Sequence, residues 1–142
     1  MKIKLDEGAY MPERAHEDDA GMDIRTPVPI TIPPATVNYG AGKAIVNTGV
    51  HVEIPQGYVG FIKSKSGLNV KNNITAEGVV DSGFTGSIVV KLYNHGNTEY
   101  HFDKGDKITQ LVILPIITPE LELVDELSAT DRGASGFGST GK

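Results

Sequence analysis

Short runs of β-branched and aromatic residues dominate the chain, and hardly any stretch shows the period of an amphipathic helix. Seventeen glycines and eight prolines separate these runs and mark turns between them. Many short strands joined by regular turns favour an all-β sandwich or barrel. The pattern predicts a short helix over residues 66–71 and strands over residues 2–5, 28–32, 44–48, 51–54, 58–63, 88–93, 99–102 and 108–117.

The 142 residues show no internal repeat and no interdomain linker, so we expect one domain with a modest core. We expect the last ordered strand to end near Val124. The chain then divides into a β domain over residues 1–124 and a flexible C-terminal arm over residues 125–142. Residues 110–117 are nearly all apolar, as in a segment buried on both faces. This run fits a central strand and a subunit interface equally well.

Composition excludes several classes of function. The absence of cysteine removes disulfides and thiolate metal sites and fits a reducing compartment. The four histidines are scattered without the spacing of metal ligands. A net charge of −5 argues against broad nucleic-acid binding, so a polyanion would need a local basic cluster and the help of a metal ion. The amino-terminal segment has no long apolar run, so we expect neither signal peptide nor membrane span, and a cytoplasmic protein.

The tail over residues 132–142 places one arginine and one aromatic ring among glycines and hydroxyls. The Arg132 guanidinium can fork onto a phosphate, and the Phe137 ring can cover a base. These features favour a flap that closes over an anionic ligand with a flat ring. A disordered Gly/Ser terminus fits the same composition, so the tail alone leaves both interpretations open.

Two early segments place charged side chains where site loops are expected. In DAGMDI at residues 19–24, Asp23 can hold a water of a hydrated Mg²⁺ ion, or it can be a turn aspartate that satisfies its own backbone. In KSKSGL at residues 63–68, a strand leads into the predicted helix, whose free N–H groups attract phosphate. Ser66 fits a simple N-cap equally well.

Two later segments carry a carboxylate and a buried amide. In EGVVDSGFTG at residues 77–86, Asp81 stands at a hairpin tip, where it can orient and deprotonate a water while Phe84 lies against a sugar. A plain tight hairpin explains the turn but not the aromatic ring. In GDKITQL at residues 105–111, Gln110 interrupts an apolar strand and needs a partner, either a phosphate oxygen or a cross-strand group.

Taken in order, these segments resemble the five motifs of the trimeric dUTP pyrophosphatase (dUTPase) family, over roughly residues 10 to 142. The segments are AGMDI at 20–24, KSGL at 65–68, GVVDSGF at 78–84, GDKITQL at 105–111 and the tail from Arg132. The resemblance implies a jelly-roll-like β fold and a homotrimer with three shared sites. It also implies that dUTP, with Mg²⁺ on its triphosphate, is hydrolysed to dUMP and pyrophosphate. That reaction limits uracil incorporation into DNA and supplies dUMP for dTMP synthesis.

The resemblance also assigns roles to residues. Asp81 would be the catalytic base that holds the attacking water, and Phe84 would stack beneath the deoxyribose and exclude a 2′-hydroxyl. Asp23 would reach the metal only through water. Substrate contacts are implied for uracil at Gly78, Val79, Val80, Val89 and Phe137, for phosphates at Lys65, Ser66, Gly67, Gln110, Arg132, Ser139 and Thr140, and further at Thr75 and Gly138.

Two departures from the family pattern concern this site. Lys65 stands where arginine is usual, so a single ammonium charge replaces a guanidinium that can donate two parallel hydrogen bonds. Phe84 stands where tyrosine is usual, which keeps the ring and loses its hydroxyl. The alternatives are a dCTP deaminase-like enzyme using Glu77, a non-enzymatic regulatory or binding protein on the same scaffold, and an unrelated β-sandwich module.

Overall fold

The computed structural model describes residues 1–135 of the chain. Strands β1 to β5 are followed by one short helix, α1, and by strands β6 to β9. Their bounds are β1 Lys2–Leu5, β2 Gly21–Arg25, β3 Ile30–Ile32, β4 Gly42–Glu53, β5 Tyr58–Lys63, α1 Ser66–Asn72, β6 Ile74–Val80, β7 Ser87–Asn94, β8 Tyr100–Phe102 and β9 Lys107–Pro115. Within the described part, no helix has the length and apolar character needed to cross a bilayer.

Seven strands form one curled antiparallel sheet in the order β1-β4-β7-β6-β5-β9-β2, and β3 and β8 form a small second sheet. Alternation along the strands sends one set of side chains into a single core. In β7, for example, Ile88, Val90 and Leu92 are buried, while Val89 and Lys91 face outward. The prediction of an all-β domain with at most a short helix is confirmed.

A bulge interrupts the pairing of β4 with β7. The step from Asn47 to His51 in β4 corresponds to the shorter step from Val89 to Ser87 in β7. Gly49 accommodates the extra chain with a φ of 67°, a conformation that a Cβ disfavours. The bulge keeps Val46 and Val50 in the core and leaves His51 on the outer face.

Beyond shifts of one or two residues at strand ends, the predicted elements differ from the observed ones in three places. Residues 44–48 and 51–54 belong to one strand, β4, because the glycine between them forms the bulge rather than a turn. Strands β2 and β6 were not predicted, because charged residues and glycine interrupt their apolar alternation. The last strand ends at Pro115 rather than near Val124, and the residues beyond it are largely exposed.

Candidate functional site

The strand register places polar residues from four strands in one row across the sheet. Asp23 in β2 lies opposite Gln110 in β9, and Gln110 lies opposite Lys63 in β5. Lys63 in turn lies opposite Glu77 in β6 and donates to it at 2.9 Å. All four candidate segments between residues 19 and 111 therefore contribute a residue to this row and are neighbours in the fold.

A buried carboxylate with two lysines forms the centre of this row. Asp23 is only 6% exposed and accepts hydrogen bonds from Lys65 and, at 2.6 Å, from Lys107. Burial alone raises the pKa of a carboxyl group, but the hydrogen bonds from Lys107 and Lys65 outweigh it and lower the pKa of Asp23 below its ordinary value. The two ammonium groups thus leave a net positive charge beside the β5–α1 connection.

The amide of Gln110 has a cross-strand partner. Its Nε2 donates to the Ser64 carbonyl at 3.1 Å, which holds the end of β5 against β9. Gly21 lies so close that a Cβ there would be 2.1 Å from the Gln110 Oε1. Of the two partners expected for this amide, the structure therefore supplies a backbone group, the Ser64 carbonyl just beyond the end of β5.

The connection from β5 to α1 presents small residues to solvent. Lys65 is the N-cap and makes no side-chain cap, so the interpretation of Ser66 as a simple N-cap is wrong. Ser66 and Gly67 are exposed, and no atom lies within 4 Å of the position that a Cβ on Gly67 would take. This connection therefore leaves open space next to the Asp23–Lys65–Lys107 cluster.

The third segment borders a cavity of about 240 Å³ between β6 and β7. Strand β6 pairs with β7 over residues 74–76 and with β5 over residues 77–80, so the two strands of the hairpin diverge beyond Ala76. The cavity opens where they separate, with Asp81 and Phe84 at its rim. Its lining consists of Ile62, Gly78, Val79, Val80, Asp81, Phe84, Ser87, Ile88 and Val89.

A tight turn positions Asp81 and Phe84 at the rim of the cavity. The Phe84 N–H donates to the Asp81 carbonyl at 3.1 Å, which places both side chains at one end of the cavity. The Phe84 ring passes over Gly86, where a Cβ would lie 2.6 Å from the Phe84 Cζ. Gly86 therefore provides the room in which this ring lies.

The lysine cluster and the hairpin cavity lie toward opposite ends of the β5–β6 pair. Ser64, the residue before Lys65, exchanges hydrogen bonds with Ala76, whereas Asp81 follows the other end of β6. The strand from Ala76 to Asp81 covers roughly 17 Å at the usual rise per residue. Within one chain, the structure does not bring Asp81 and Lys65 together.

The remaining predicted residues are dispersed. Thr75 shares a hydrogen bond with His95 at 2.8 Å and lies away from the cavity lining. Arg132 is exposed in the C-terminal segment, and its Nε donates to the Ser135 carbonyl at 3.1 Å. Phe137, Gly138, Ser139 and Thr140 lie outside the described residues.

Sequence reasoning missed one residue of the cluster, Lys107. It stands in the fourth segment, but a lysine after a Gly-Asp turn carries no signal of its own. Its role depends on the register of β2 against β9, which shifts between Ile24 and Arg25.

The side chains suit a metal ion that a substrate brings rather than a site made by the protein alone. Among residues 1–135, no group of three or more histidine or acidic side chains is placed to hold a metal. Asp23 already uses both carboxylate oxygens for lysines. Mg²⁺ keeps several waters and combines one or two carboxylates with substrate phosphates, so with both Asp23 oxygens bound to lysines an ion here would depend on the phosphates and reach Asp23 only through water.

Comparison with known proteins gives a consistent result. The dUTPase family model matches residues 7–141. The deoxyuridine 5′-triphosphate nucleotidohydrolase of Clostridium tetani is 42% identical and covers 100% of this chain and 97% of its own length. The structure is similar to that of the Staphylococcus bacteriophage 80alpha dUTPase with dUPNHPP, with a TM-score of 0.89, 34% identity and coverage of 99% and 98%. It is also similar to a mutant dUTPase from phage phi11 of S. aureus described with a structural Mg(II) ion, with a TM-score of 0.78, 33% identity and coverage of 88% and 96%.

Proposed function

The chain belongs to the dUTPase family and is an enzyme that hydrolyses dUTP to dUMP, and from this premise we propose that Asp81 holds the water that attacks the α-phosphorus. The observation that carries the proposal is the position of Asp81 and Phe84 at the rim of the cavity between β6 and β7. A carboxylate there can orient a water and accept its proton. It is a modest base, so positioning and charge neutralisation supply most of the acceleration.

The cavity supports a uracil site built from backbone groups. Where β6 and β7 diverge, their facing N–H and C=O groups no longer pair with each other across the hairpin. A pyrimidine with an alternating donor and acceptor edge can bridge them as a strand would, and cytosine presents the reversed pattern. Phe84 then lies against the deoxyribose and leaves no room for a 2′-hydroxyl. Glu77, the residue that a deaminase would need, is paired with Lys63 and is not part of this lining.

The lysine cluster supports a phosphate site. Lys65 and Lys107 share one carboxylate, so one ammonium can turn toward a phosphate while the other keeps Asp23 neutralised. The open space next to Gly67 and the exposed Ser66 give the phosphate chain a place to lie. A bound Mg²⁺ ion would neutralise phosphate charge, and Asp23 would meet it only through water.

The separation of cluster and cavity supports a shared site in a homotrimer. The α-phosphorus must lie within about 3.5 Å of the attacking oxygen, and consecutive phosphates are joined by single oxygens. One triphosphate therefore cannot join a water on Asp81 to the lysine cluster of the same chain across the length of β6. A second copy brings its cluster to the first copy's cavity, and the C-terminal arm completes the site with Arg132 on the γ-phosphate. In this proposal the phosphates are also contacted by arm residues Gly138, Ser139 and Thr140, and the base is covered by Phe137.

Two parts of the proposal rest on chemistry rather than on contacts. A cytoplasmic location fits a cysteine-free chain that acts on a nucleoside triphosphate. Closure of the arm excludes water from the assembled site, so the hydrolytic water is the one that Asp81 holds.

The test is pyrophosphate release from dUTP, dCTP, dTTP and UTP, with and without Mg²⁺, for the wild-type enzyme and Asp81→Asn. We expect release from dUTP alone at a high rate, and a loss of about 10²- to 10⁴-fold in kcat for the variant. Binding of dUpNHpp to the variant should persist. Asp103→Asn, at an exposed aspartate beyond β8, is the matched control and should keep the wild-type rate. A near-wild-type rate for Asp81→Asn contradicts the proposed role.

A further inference from the structure

His51 joins three parts of the fold through both nitrogens of its ring. It lies on the outer face of β4, just beyond the bulge, and its side chain is only 19% exposed. Its Nδ1 lies 2.9 Å from the Thr85 carbonyl oxygen, in the segment between β6 and β7. Its Nε2 lies 3.0 Å from Oδ2 of Asp6, in the loop after β1.

The nature of these partners favours the doubly protonated ring. A carbonyl oxygen and an ionised carboxylate can only accept hydrogen bonds, so both contacts are hydrogen bonds only while each ring nitrogen carries a proton. An imidazole with two N–H groups is the imidazolium cation. The hydrogen bond to Asp6, followed by the one to Thr85, accordingly raises the pKa of His51, and His51 lowers the pKa of Asp6.

Thr85 is the residue after Phe84, in the part of the hairpin that lies beyond the pairing of β6 with β7. The turn from Asp81 to Phe84 is closed by one backbone hydrogen bond of its own. The bond from His51 therefore ties this turn to β4, a strand that pairs with β7 along most of its length.

We infer that His51 is a positioning residue, which in its doubly protonated form holds the Thr85 carbonyl and thereby fixes Phe84 against the sugar. The inference rests on the proposed role of Phe84 in rejecting a 2′-hydroxyl. His51 is not placed to touch a reacting atom. It acts through the position of the ring and therefore on the choice between dUTP and UTP.

The charges around His51 set the direction of its pH dependence. Asp6 favours the protonated ring, and Lys4, 3.7 Å from Asp6, opposes it. The flanking Lys2 and Glu53 form a pair at 3.0 Å and largely cancel. Since the pKa of His51 is raised, the ring holds both partners at low pH and loses one as the pH rises through that pKa. The bond to the charged Asp6 is the stronger, so the Thr85 carbonyl is the partner lost.

Two amide variants separate the two contacts. The amide nitrogen of asparagine takes the position of Nδ1, and that of glutamine takes the position of Nε2. His51→Asn can therefore donate to Thr85, whereas His51→Gln can donate only to Asp6. The measurement is the ratio of kcat/KM for dUTP to that for UTP, in which effects common to both substrates cancel.

We expect His51→Gln to lower this ratio roughly fivefold, the effect of one ordinary hydrogen bond, and His51→Asn to keep it near wild type. The wild-type ratio should fall toward the glutamine value as the pH rises through the His51 pKa, followed by NMR of the ring nitrogens. For both variants, the ratio should not change with pH. His101→Gln is the matched control, because His101 also contacts a hydroxyl and a carboxylate but lies on β8.

Phe84→Leu distinguishes failure of the inference from failure of the proposed function. If Phe84→Leu lowers the ratio and His51→Gln does not, the role of His51 is refuted and that of Phe84 stands. If Phe84→Leu leaves the ratio unchanged, the sugar contact itself is refuted. Equal ratios for His51→Asn and His51→Gln, or a wild-type ratio that ignores the titration seen by NMR, also overturn the inference.

Discussion

Replacing Asp23 by asparagine tests whether the buried carboxylate stabilises the sheet through its two lysines. The carboxylate is 7% exposed, and the Lys65 and Lys107 side chains are 26% and 35% exposed. Removing one partner of a fully buried ion pair costs about 3–5 kcal/mol. Because both lysines can turn to water once the charge is gone, we expect a smaller loss, about 2 kcal/mol at neutral pH.

The pKa of Asp23 determines how the stabilisation changes with pH. The folded-state pKa of Asp23 lies below the ordinary value of 3.8, so the stabilisation is present above that value and is lost as the pH falls through the folded pKa. The difference in unfolding free energy between wild type and Asp23→Asn should be constant from about pH 5 to pH 8 and shrink below about pH 4.

Urea denaturation at one fixed protein concentration measures the difference, because the midpoint of the proposed homotrimer would depend on protein concentration. Glu53→Gln is the matched control, since it removes a carboxylate from an ion pair whose side chains are 57% and 83% exposed. Its midpoint should hardly move. An unchanged midpoint for Asp23→Asn at pH 7, or a difference that grows as the pH falls to 3, would refute the reasoning.

Two further predictions concern the hairpin and the arm. Gly86→Ala should displace the Phe84 ring, because the added carbon would lie 2.6 Å from its Cζ. We expect the ratio of kcat/KM for dUTP to that for UTP to fall roughly tenfold. Gly83→Ala is the control and should leave the ratio unchanged, because no atom lies within 4 Å of the position that its Cβ would take. Deleting residues 132–142 should leave thermal unfolding unchanged and lower kcat/KM for dUTP by at least about 10²-fold, and an unaffected rate in pyrophosphate release would contradict a role for the arm in closure.

Local pattern was enough to predict several strands and the short helix. Strands β1 and β5 have the predicted bounds, and helix α1 differs from its prediction by one residue. Strand β6 escaped prediction although it carries the third motif, because Glu77 and Gly78 break its apolar alternation. Gly78 also lines the cavity between β6 and β7, so a residue of the candidate site is one of the two that interrupt the strand pattern.

What the sequence could not supply is the register between distant strands. The motifs indicated that Asp23, Lys65 and Gln110 belong to one site, but not that Lys65 bonds directly to Asp23 or that Lys107 joins them. For the same reason the contacts of His51 could not be predicted, because its partners lie 45 and 34 residues away along the chain. Such contacts depend on how β4 is bulged and paired, and no local propensity encodes that.

The second lysine of the cluster bears on the replacement of the family's usual arginine by Lys65. If Lys65 were the sole partner of Asp23, its movement to a phosphate would leave a buried carboxylate unpaired, at a cost of several kcal/mol. Lys107 remains on Oδ2 and removes that cost. A lysine carries its charge at one point on a flexible stem, so in the proposed mechanism it can exchange a carboxylate oxygen for a phosphate oxygen by rotating its side chain. In the proposed mechanism, the cluster thus offers a cation to the substrate without leaving Asp23 unpaired in the sheet.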